Sequence, residues 1–204
     1  TCIIGGSKIS SKINIIKNLI PKFDNIIIVG GMANNILKHQ GHEIGKSLQE
    51  DNCNQIIEEI FSLSKKENCI ILYPEDVITG KSLNDLPKVK ELENITKDDL
   101  ILDIGPKTIK KINNLIDKSN TILWNGPAGY FENPSFAKGS IEIAKKIVKK
   151  NKNNKIYSVA GGGDTVALLN IVGATNHFNF VSTAGGAFLE YLEGKELPGI
   201  KALN

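Results

Sequence analysis

Short runs of β-branched residues alternate along this chain with lysine-rich amphipathic segments. The apolar runs predict short strands, expected at 2–4, 26–29, 70–72, 100–104, 121–124, 156–160 and 178–182. The amphipathic segments predict helices, expected over 9–19, 32–39, 107–118 and 135–150. A strand-and-helix rhythm of this kind is typical of parallel sheets with crossover helices.

These elements predict one α/β domain over residues 1–204, a doubly wound (Rossmann-like), mainly parallel six-stranded sheet with helices on both faces. One stretch departs from the rhythm. Residues 73–99 are polar, contain Pro74 and Pro87, and lack a sustained helical period. We expect a surface excursion there, with extra short strands and no chemistry of its own.

Composition excludes several classes of protein. The chain is 41% hydrophobic and 23% charged, which predicts a folded core rather than disorder. Its apolar runs are too short to span a bilayer and its N-terminus lacks a signal-peptide pattern, so no membrane partner is expected. The three cysteines form no CxxC pair, which argues against a disulfide framework or zinc site and favours a reducing cytoplasm.

The basic residues are informative because they are all lysine. A net charge of +3 suits an anionic ligand but is too small to indicate a nucleic acid partner. The chain has no arginine and therefore no guanidinium for bidentate capture of a carboxylate or phosphate. A biased genome would produce the same composition. An anion held by this chain would be held by lysine and by backbone groups.

Glycines follow the predicted strands. They occur at Gly5-Gly6, Gly30-Gly31, Gly105, Gly126, Gly161 to Gly163 and Gly185-Gly186. In a parallel sheet these positions share the carboxyl edge, where open α/β sheets place their ligands, and glycine lets a backbone approach closely. Any one of these loops could need glycine for turn geometry alone, but six together indicate a binding edge.

The run Gly161-Gly162-Gly163-Asp164-Thr165 is predicted to start a helix directly after a strand. Free N–H groups at a helix N-terminus bind phosphate, and a carboxylate beside them can hold the Mg²⁺ of a nucleoside polyphosphate. Asp164 is therefore the candidate metal ligand. The alternative, equally weighted on this loop alone, is that Asp164 and Thr165 only cap the helix.

Lys8 and Lys12 stand four residues apart after Gly5-Gly6, which would place both ammonium groups on one face of the predicted helix. Like charges near a helix N-terminus are unfavourable unless an anion lies between them, so the pair favours a polyphosphate. The alternative is two solvated surface lysines.

The loop from Trp124 to Glu132 offers the Asn125 amide for a phosphate and the Glu132 carboxylate for ribose hydroxyls. Taken alone, Glu132 is more typical of an exposed loop and Trp124 of a core.

Three other kinds of site are disfavoured. The segment 41–47 has three residues between its glycines where a P-loop has four, and no G-x-G-x-x-G fingerprint of a dinucleotide enzyme is present. The histidines are dispersed and lack metal-ligand spacing or a nucleophile motif, so zinc and hydrolase sites are not expected. NAD binding therefore remains a weaker alternative to nucleotide binding.

Taken together, these motifs resemble phosphoglycerate kinase in order and spacing. The matching blocks are 5–12, 29–34, 45–48, 102–108, 124–127, 161–165, 181–187 and 192–199. The resemblance implies that Lys8 and Lys12 contact the nucleotide phosphates and the transferring group, Asn125 a phosphate, and Glu132 the ribose. It also assigns the phosphates and Mg²⁺ to Gly162, Gly163, Asp164 and Thr165, the adenine slot to Gly6, Ser7, Gly30, Gly31, Leu48 and Leu102, and the transferred phosphoryl group to Gly185 and Gly186.

The reaction implied by the resemblance is reversible phosphoryl transfer between 1,3-bisphosphoglycerate with ADP and 3-phosphoglycerate with ATP, a step of glycolysis. The family carries an N-terminal domain that holds the phosphoglycerate, and this chain begins inside a core strand at Thr1. We expect a monomeric Mg-ADP or Mg-ATP half of the site with little turnover alone, whose segment from about 188 to 204 returns to that missing domain. The alternative is a stand-alone nucleotide-binding module without kinase activity.

Overall fold

The computed structural model describes residues 1–153 and 155–203. The strands are β1 (Cys2–Ile4), β2 (Asn25–Ile28), β3 (Ile70–Leu72), β4 (Asp76–Gly80), β5 (Lys88–Glu91), β6 (Leu100–Ile104), β7 (Thr121–Asn125), β8 (Tyr157–Gly161) and β9 (Phe180–Ser182). The α-helices are α1 (Ile13–Leu19), α2 (Gly31–His39), α3 (Asn54–Lys66), α4 (Pro106–Lys118), α5 (Lys138–Asn151), α6 (Gly163–Ile171), α7 (Gly185–Leu192) and α8 (Pro198–Lys201).

Six strands form a parallel sheet in the order β3-β2-β1-β7-β8-β9. Neighbouring residues of one strand face opposite sides of a sheet. Ile3 accordingly belongs to a core cluster with residues of α4, α5 and α6, while Cys2 and Ile4 belong to a second cluster with residues of α1, α2 and α3. The predicted doubly wound, six-stranded α/β fold is confirmed.

A second, antiparallel sheet has the order β5-β4-β6. It confirms the expected excursion over 73–99, which contains β4 and β5. It also shows that the placement of 100–104 in the parallel sheet was wrong, and with it the placement of Gly105 on the carboxyl edge. The prediction failed because β6 pairs with β4 of the excursion. An apolar run indicates that a strand forms, but it does not indicate which strand is its neighbour.

Helix α4 is attached to this second sheet by the carboxylate of Asp76, a buried residue of β4. The backbone N–H groups of Lys107 and Thr108 donate to its two oxygens at 2.9 and 2.8 Å. The Thr108 hydroxyl donates to the same carboxylate at 2.7 Å. Asp76 therefore caps the first turn of a helix that lies about thirty residues later in the chain.

Several predicted helix boundaries needed correction. The first helix begins at Ile13, not at residue 9, because residues 10–12 form a turn. The helix predicted from residue 135 begins at Lys138, after a 3-10 turn over Pro134–Phe136. Helix α3 was not predicted. Within the described residues, no helix combines the length and apolar character that crossing a membrane requires.

Candidate functional site

The strand order reverses between β1 and β7, which are neighbours in the sheet. The chain leaves β1 toward β2 on one side and leaves β7 toward β8 on the other. Such a switch point opens a crevice outside the carboxyl ends of the two strands, where open α/β sheets bind ligands. The loops after β1 and β7 are the walls of this crevice.

Two glycines bring these loops into backbone contact. Gly5 N–H donates to the carbonyl of Asn125 at 2.8 Å, and Gly126 has a φ of +96°. A Cβ at Gly5 would overlap the carbonyl oxygens of Gly126 and Pro127, so only glycine permits this approach. The loop after β7 is held on its core side by Trp124. This residue is fully buried, and its indole N–H donates to the Gly126 carbonyl at 2.7 Å.

A cavity of about 290 Å³ lies at the crevice. Half of the predicted site residues line it, and all of the predicted adenine-slot residues are among them. These lining residues are Gly6, Ser7, Gly30, Gly31, Leu48, Leu102, Glu132 and Asp164. The structure thus gathers residues from six separate segments of the chain around one space.

Sequence reasoning missed part of the cavity wall. Pro74 and Leu83 come from the excursion to which no chemistry was given, and Tyr130, Phe131 and Asp103 also line the space. The second sheet therefore forms one side of the cavity. Its contribution could not be found from motifs, because it depends on how β6 packs beside the crevice.

The polar side of the crevice joins two predicted phosphate ligands. Lys12 Nζ donates to Asn125 Oδ1 at 2.8 Å, and the Asn125 amide donates to the Gly161 carbonyl at 2.8 Å. Burial lowers the pKa of Lys12, and the nearby carboxylates of Asp164 and Glu193 act in the opposite direction. A partly buried ammonium thus lies beside the candidate metal ligand.

The geometry predicted for the lysine pair was wrong. Lys12 is the N-cap residue of α1 and Lys8 is exposed in the loop before it, so the two do not share a helix face. The turn is closed by Lys12 N–H, which donates to the Ile9 carbonyl at 3.0 Å, and by the Ser11 hydroxyl, which donates to the Lys8 carbonyl at 2.8 Å. Both lysines still stand on the loop that follows β1.

Two helices begin at the crevice with a glycine N-cap. Gly30 precedes α2 with φ +70° and Gly162 precedes α6 with φ +94°. Both N-caps are glycine and have no capping side chain, and in α2 the Met32 N–H donates to the Gly6 carbonyl at 2.9 Å. The first N–H groups of such helices, together with the helix dipole, favour an anion.

The residues after Gly162 have distinct surroundings. Gly163 and Asp164 are exposed in the first turn of α6, so Asp164 is not the N-cap. Thr165 is fully buried, and its hydroxyl accepts the Gly126 N–H at 2.6 Å, which ties α6 to the loop after β7. The capping alternative for these two side chains therefore does not describe the structure.

Gly185 and Gly186 open α7 after β9, which is two strands beyond β7 in the sheet. They stand on the carboxyl edge, as predicted, but they do not line the cavity. A Cβ at either position would meet no atom within 4 Å, so their backbone faces open space.

The oxygen ligands suit magnesium bound together with a phosphate. Asp164 offers a hard carboxylate at the cavity wall, and the described residues contain no group of three or more metal-ligating side chains. Mg²⁺ usually takes one or two protein carboxylates and completes its shell with water and substrate phosphates. One carboxylate in the first turn of a helix fits that mode.

The fold and the cavity define a doubly wound α/β protein with a ligand cavity at its switch point. A family model described as phosphoglycerate kinase matches residues 1–195. The chain belongs to the phosphoglycerate kinase family, as the motifs indicated. Over 203 residues it is 44% identical to the phosphoglycerate kinase of Zymomonas mobilis and 46% identical to that of Caulobacter vibrioides, covering 98% of this chain and 51% of each relative.

Solved structures agree with this membership. The chain superposes on phosphoglycerate kinase from Coxiella burnetii with a TM-score of 0.94 at 41% identity, and on that from Pyrococcus horikoshii with 0.79 at 26% identity. Each match covers 99% of this chain and 51% of the other protein. The chain thus spans about half the length of the relatives that it matches.

Proposed function

We propose that this chain binds Mg-ADP or Mg-ATP in the switch-point cavity and supplies the nucleotide half of a phosphoglycerate kinase site. The observation that carries the proposal is that an apolar slot and a set of polar, charged side chains lie in the same crevice. A largely apolar slot lies on the side of Leu48 and Leu102, and Asp164 lines the same cavity. Lys12 and Asn125 are hydrogen-bonded at the junction of the two loops.

The apolar side suits a purine ring. Leu48, Leu102 and the backbone of Gly30 and Gly31 would cover its faces, as flat ligands require. The exposed carboxylate of Glu132, on the same wall, would accept hydrogen bonds from the ribose hydroxyls. Gly6 and Ser7 would lie against the base from the loop after β1.

The polar side suits the phosphates. Lys12 and Asn125 would donate to phosphate oxygens, and Gly162, Gly163 and Thr165 would contribute the first turn of α6. Asp164 would hold the Mg²⁺ that accompanies these phosphates. The ion, when bound, neutralises charge on the phosphate oxygens.

The reaction proposed for the complete site is the glycolytic transfer of a phosphoryl group between 1,3-bisphosphoglycerate and ADP, giving 3-phosphoglycerate and ATP. This transfer needs alignment and charge neutralisation, and no base, because the accepting carboxylate or phosphate has no proton to lose. Lys8, exposed on the same loop as Lys12, would approach the group in transfer. Gly162, Gly185 and Gly186 would present backbone N–H groups to it.

The phosphoglycerate side is proposed to come from the half of the family's length that this chain does not span. The segment from about 188 to 204 would contact that half. By itself the chain is then a binding protein with little turnover.

The test is calorimetric titration of the chain with Mg-ADP. We expect binding that Lys12→Ala and Asp164→Ala each weaken by about tenfold, since each removes a charge-assisted contact to the phosphates or their metal ion. Lys17→Ala is the matched control, because Lys17 lies on α1 and pairs with Glu59 away from the cavity. Absence of both heat and a melting shift at millimolar Mg-ADP would exclude the proposed function.

A further inference from the structure

The carboxylate of Glu50 bridges two segments of the crevice that are forty residues apart. The Ser10 backbone N–H donates to Glu50 Oε2 at 3.0 Å, and the Ser10 hydroxyl donates to Glu50 Oε1 at 2.6 Å. Ser10 stands midway between Lys8 and Lys12. Both oxygens of one carboxylate are thus engaged by the residue at the centre of the lysine loop, which we define as residues 8–12.

Glu50 is itself held by a rigid element. The side chain of Asn35, buried in α2, donates to the Glu50 carbonyl at 2.7 Å and accepts the Glu50 N–H at 3.2 Å. Its neighbour Asn34 donates to the Leu48 carbonyl at 2.9 Å. The segment 48–50 is therefore fastened to α2 at both ends, with Leu48 on the cavity wall and Glu50 on the lysine loop.

We infer that Glu50 is a positioning residue of the nucleotide site, which holds the lysine loop through Ser10 so that Lys8 and Lys12 face the phosphates. The inference rests on the proposed function. It goes further by linking the base side of the cavity to the phosphate side through one short segment. Glu50 need not touch the nucleotide to act in this way.

The chemistry of the bridge requires a carboxylate. Two donors approach two oxygens, and an ionised carboxylate accepts both, whereas a glutamine would present an NH₂ group to one of them. Burial acts to raise the pKa of Glu50, but the hydrogen bonds from Ser10 and the Ile9 N–H, together with the charge of Lys8, outweigh burial and the pKa is lowered. Glu50 is therefore ionised at neutral pH, and the charge-assisted bonds persist there.

Glu50→Gln and Ser10→Ala should separate phosphate binding from base binding. We expect each variant to bind Mg-ADP more weakly, Glu50→Gln by about tenfold, while the affinity for adenosine is unchanged. The double variant should be no weaker than Glu50→Gln alone, because both changes break one bridge. Glu58→Gln is the control, since Glu58 is an exposed carboxylate of α3.

A second measurement needs no nucleotide. Hydrogen exchange of the peptide covering the lysine loop should be faster in Glu50→Gln than in the unsubstituted chain, with other peptides unchanged. If the unsubstituted chain fails to bind Mg-ADP, the proposed function is excluded. The exchange measurement still tests whether Glu50 holds the lysine loop through Ser10. Equal losses for adenosine and Mg-ADP, additive effects, or unchanged exchange in the loop would each overturn the positioning role.

Discussion

At the scale of single residues, Asp103 shows how burial changes a side chain beside the cavity. Its oxygens accept the N–H groups of Gly139 at 2.7 Å and Ile104 at 2.9 Å. Burial raises the pKa of this carboxyl to about 7, and the two hydrogen bonds only partly oppose that effect. The protonated form is therefore the more stable one in the folded chain over most of the acidic range.

The raised pKa of Asp103 makes the free energy of unfolding depend on pH between the unfolded and folded pKa values of this group. In the unfolded chain Asp103 ionises near pH 3.8, whereas in the folded chain it ionises near pH 7, so the unfolded state binds fewer protons between these values. The free energy of unfolding then falls as pH rises from about 4 to about 7, by at most about 1.4 kcal/mol per pH unit from this group.

We predict that Asp103→Asn removes this slope. Urea unfolding of both proteins between pH 4.5 and 8 measures it, because the other carboxylates contribute equally to both. Relative to the unsubstituted chain, the variant should gain stability as pH rises toward 7 and show no further change above about 8. A stability difference that stays constant with pH would contradict the raised pKa.

Sequence motifs located residues of the cavity wall where the signal is local, and they missed residues whose surroundings depend on packing. Glu132 and Asp164 were identified from their loops and Leu48 from the family resemblance, and all three line the cavity. Asp103 was not singled out, since its surroundings are created by Gly139 of α5. The role of the Thr165 hydroxyl was also beyond reach, because its partner Gly126 lies 39 residues away in sequence.

At the scale of elements, the second sheet is joined to the main domain by a cap that comes from another strand. Asp76 in β4 accepts hydrogen bonds from two N–H groups in the first turn of α4. These N–H groups have no acceptor within the helix itself. Sequence inspection looks for a cap directly before a helix, and here Gly105 occupies that position. The pairing of β6 with β4 escaped prediction for a related reason, since both contacts are non-local.

Asp76→Ala should therefore lower the free energy of unfolding by more than a substitution at an exposed position does. We expect a loss of roughly 3 kcal/mol in the free energy of unfolding, because two helix N–H groups and the Thr108 hydroxyl lose their shared acceptor. Urea titration measures the loss. Glu75→Ala is the neighbouring control: its exposed pairing with Lys111 should be worth less than about 1 kcal/mol. Equal effects of the two changes would show that the cap contributes little.

At the scale of the whole molecule, sequence predicted the architecture well. Alternating apolar and amphipathic segments predicted all six parallel strands, because each βα unit is a local pattern with a handed crossover, but they did not separate β6 from that sheet. The glycines then located the binding edge. The hydrophobic pattern did not predict how segment 41–53 folds over α2, because the hydrogen bonds of this segment to Asn34 and Asn35 form only once the helix is in place.

The half-length of the chain leads to a prediction about activity. We expect ATP formation from 1,3-bisphosphoglycerate and ADP by this chain alone to be at least about 100-fold slower than by the chain joined to an N-terminal half from a relative, since alignment of both substrates is lost. A coupled assay measures both. The joined protein carrying Lys12→Ala is the control, and it should lose most of the restored rate.

The other outcome of that assay is also informative. Unchanged Mg-ADP binding with no gain from the added half would favour a stand-alone nucleotide-binding module. Restored turnover would identify the chain as one partner of a divided kinase site.

The adjacency of β1 and β7 has a consequence for how the site comes into existence. The bond from Lys12 Nζ to Asn125 Oδ1 spans 113 positions of sequence, and the Gly5 N–H that donates to the Asn125 carbonyl is as distant. Closing so long a loop is entropically costly and slow, so non-local strand pairs form late in folding. During synthesis, a growing chain would therefore have no switch-point cavity until β7 had emerged and docked beside β1.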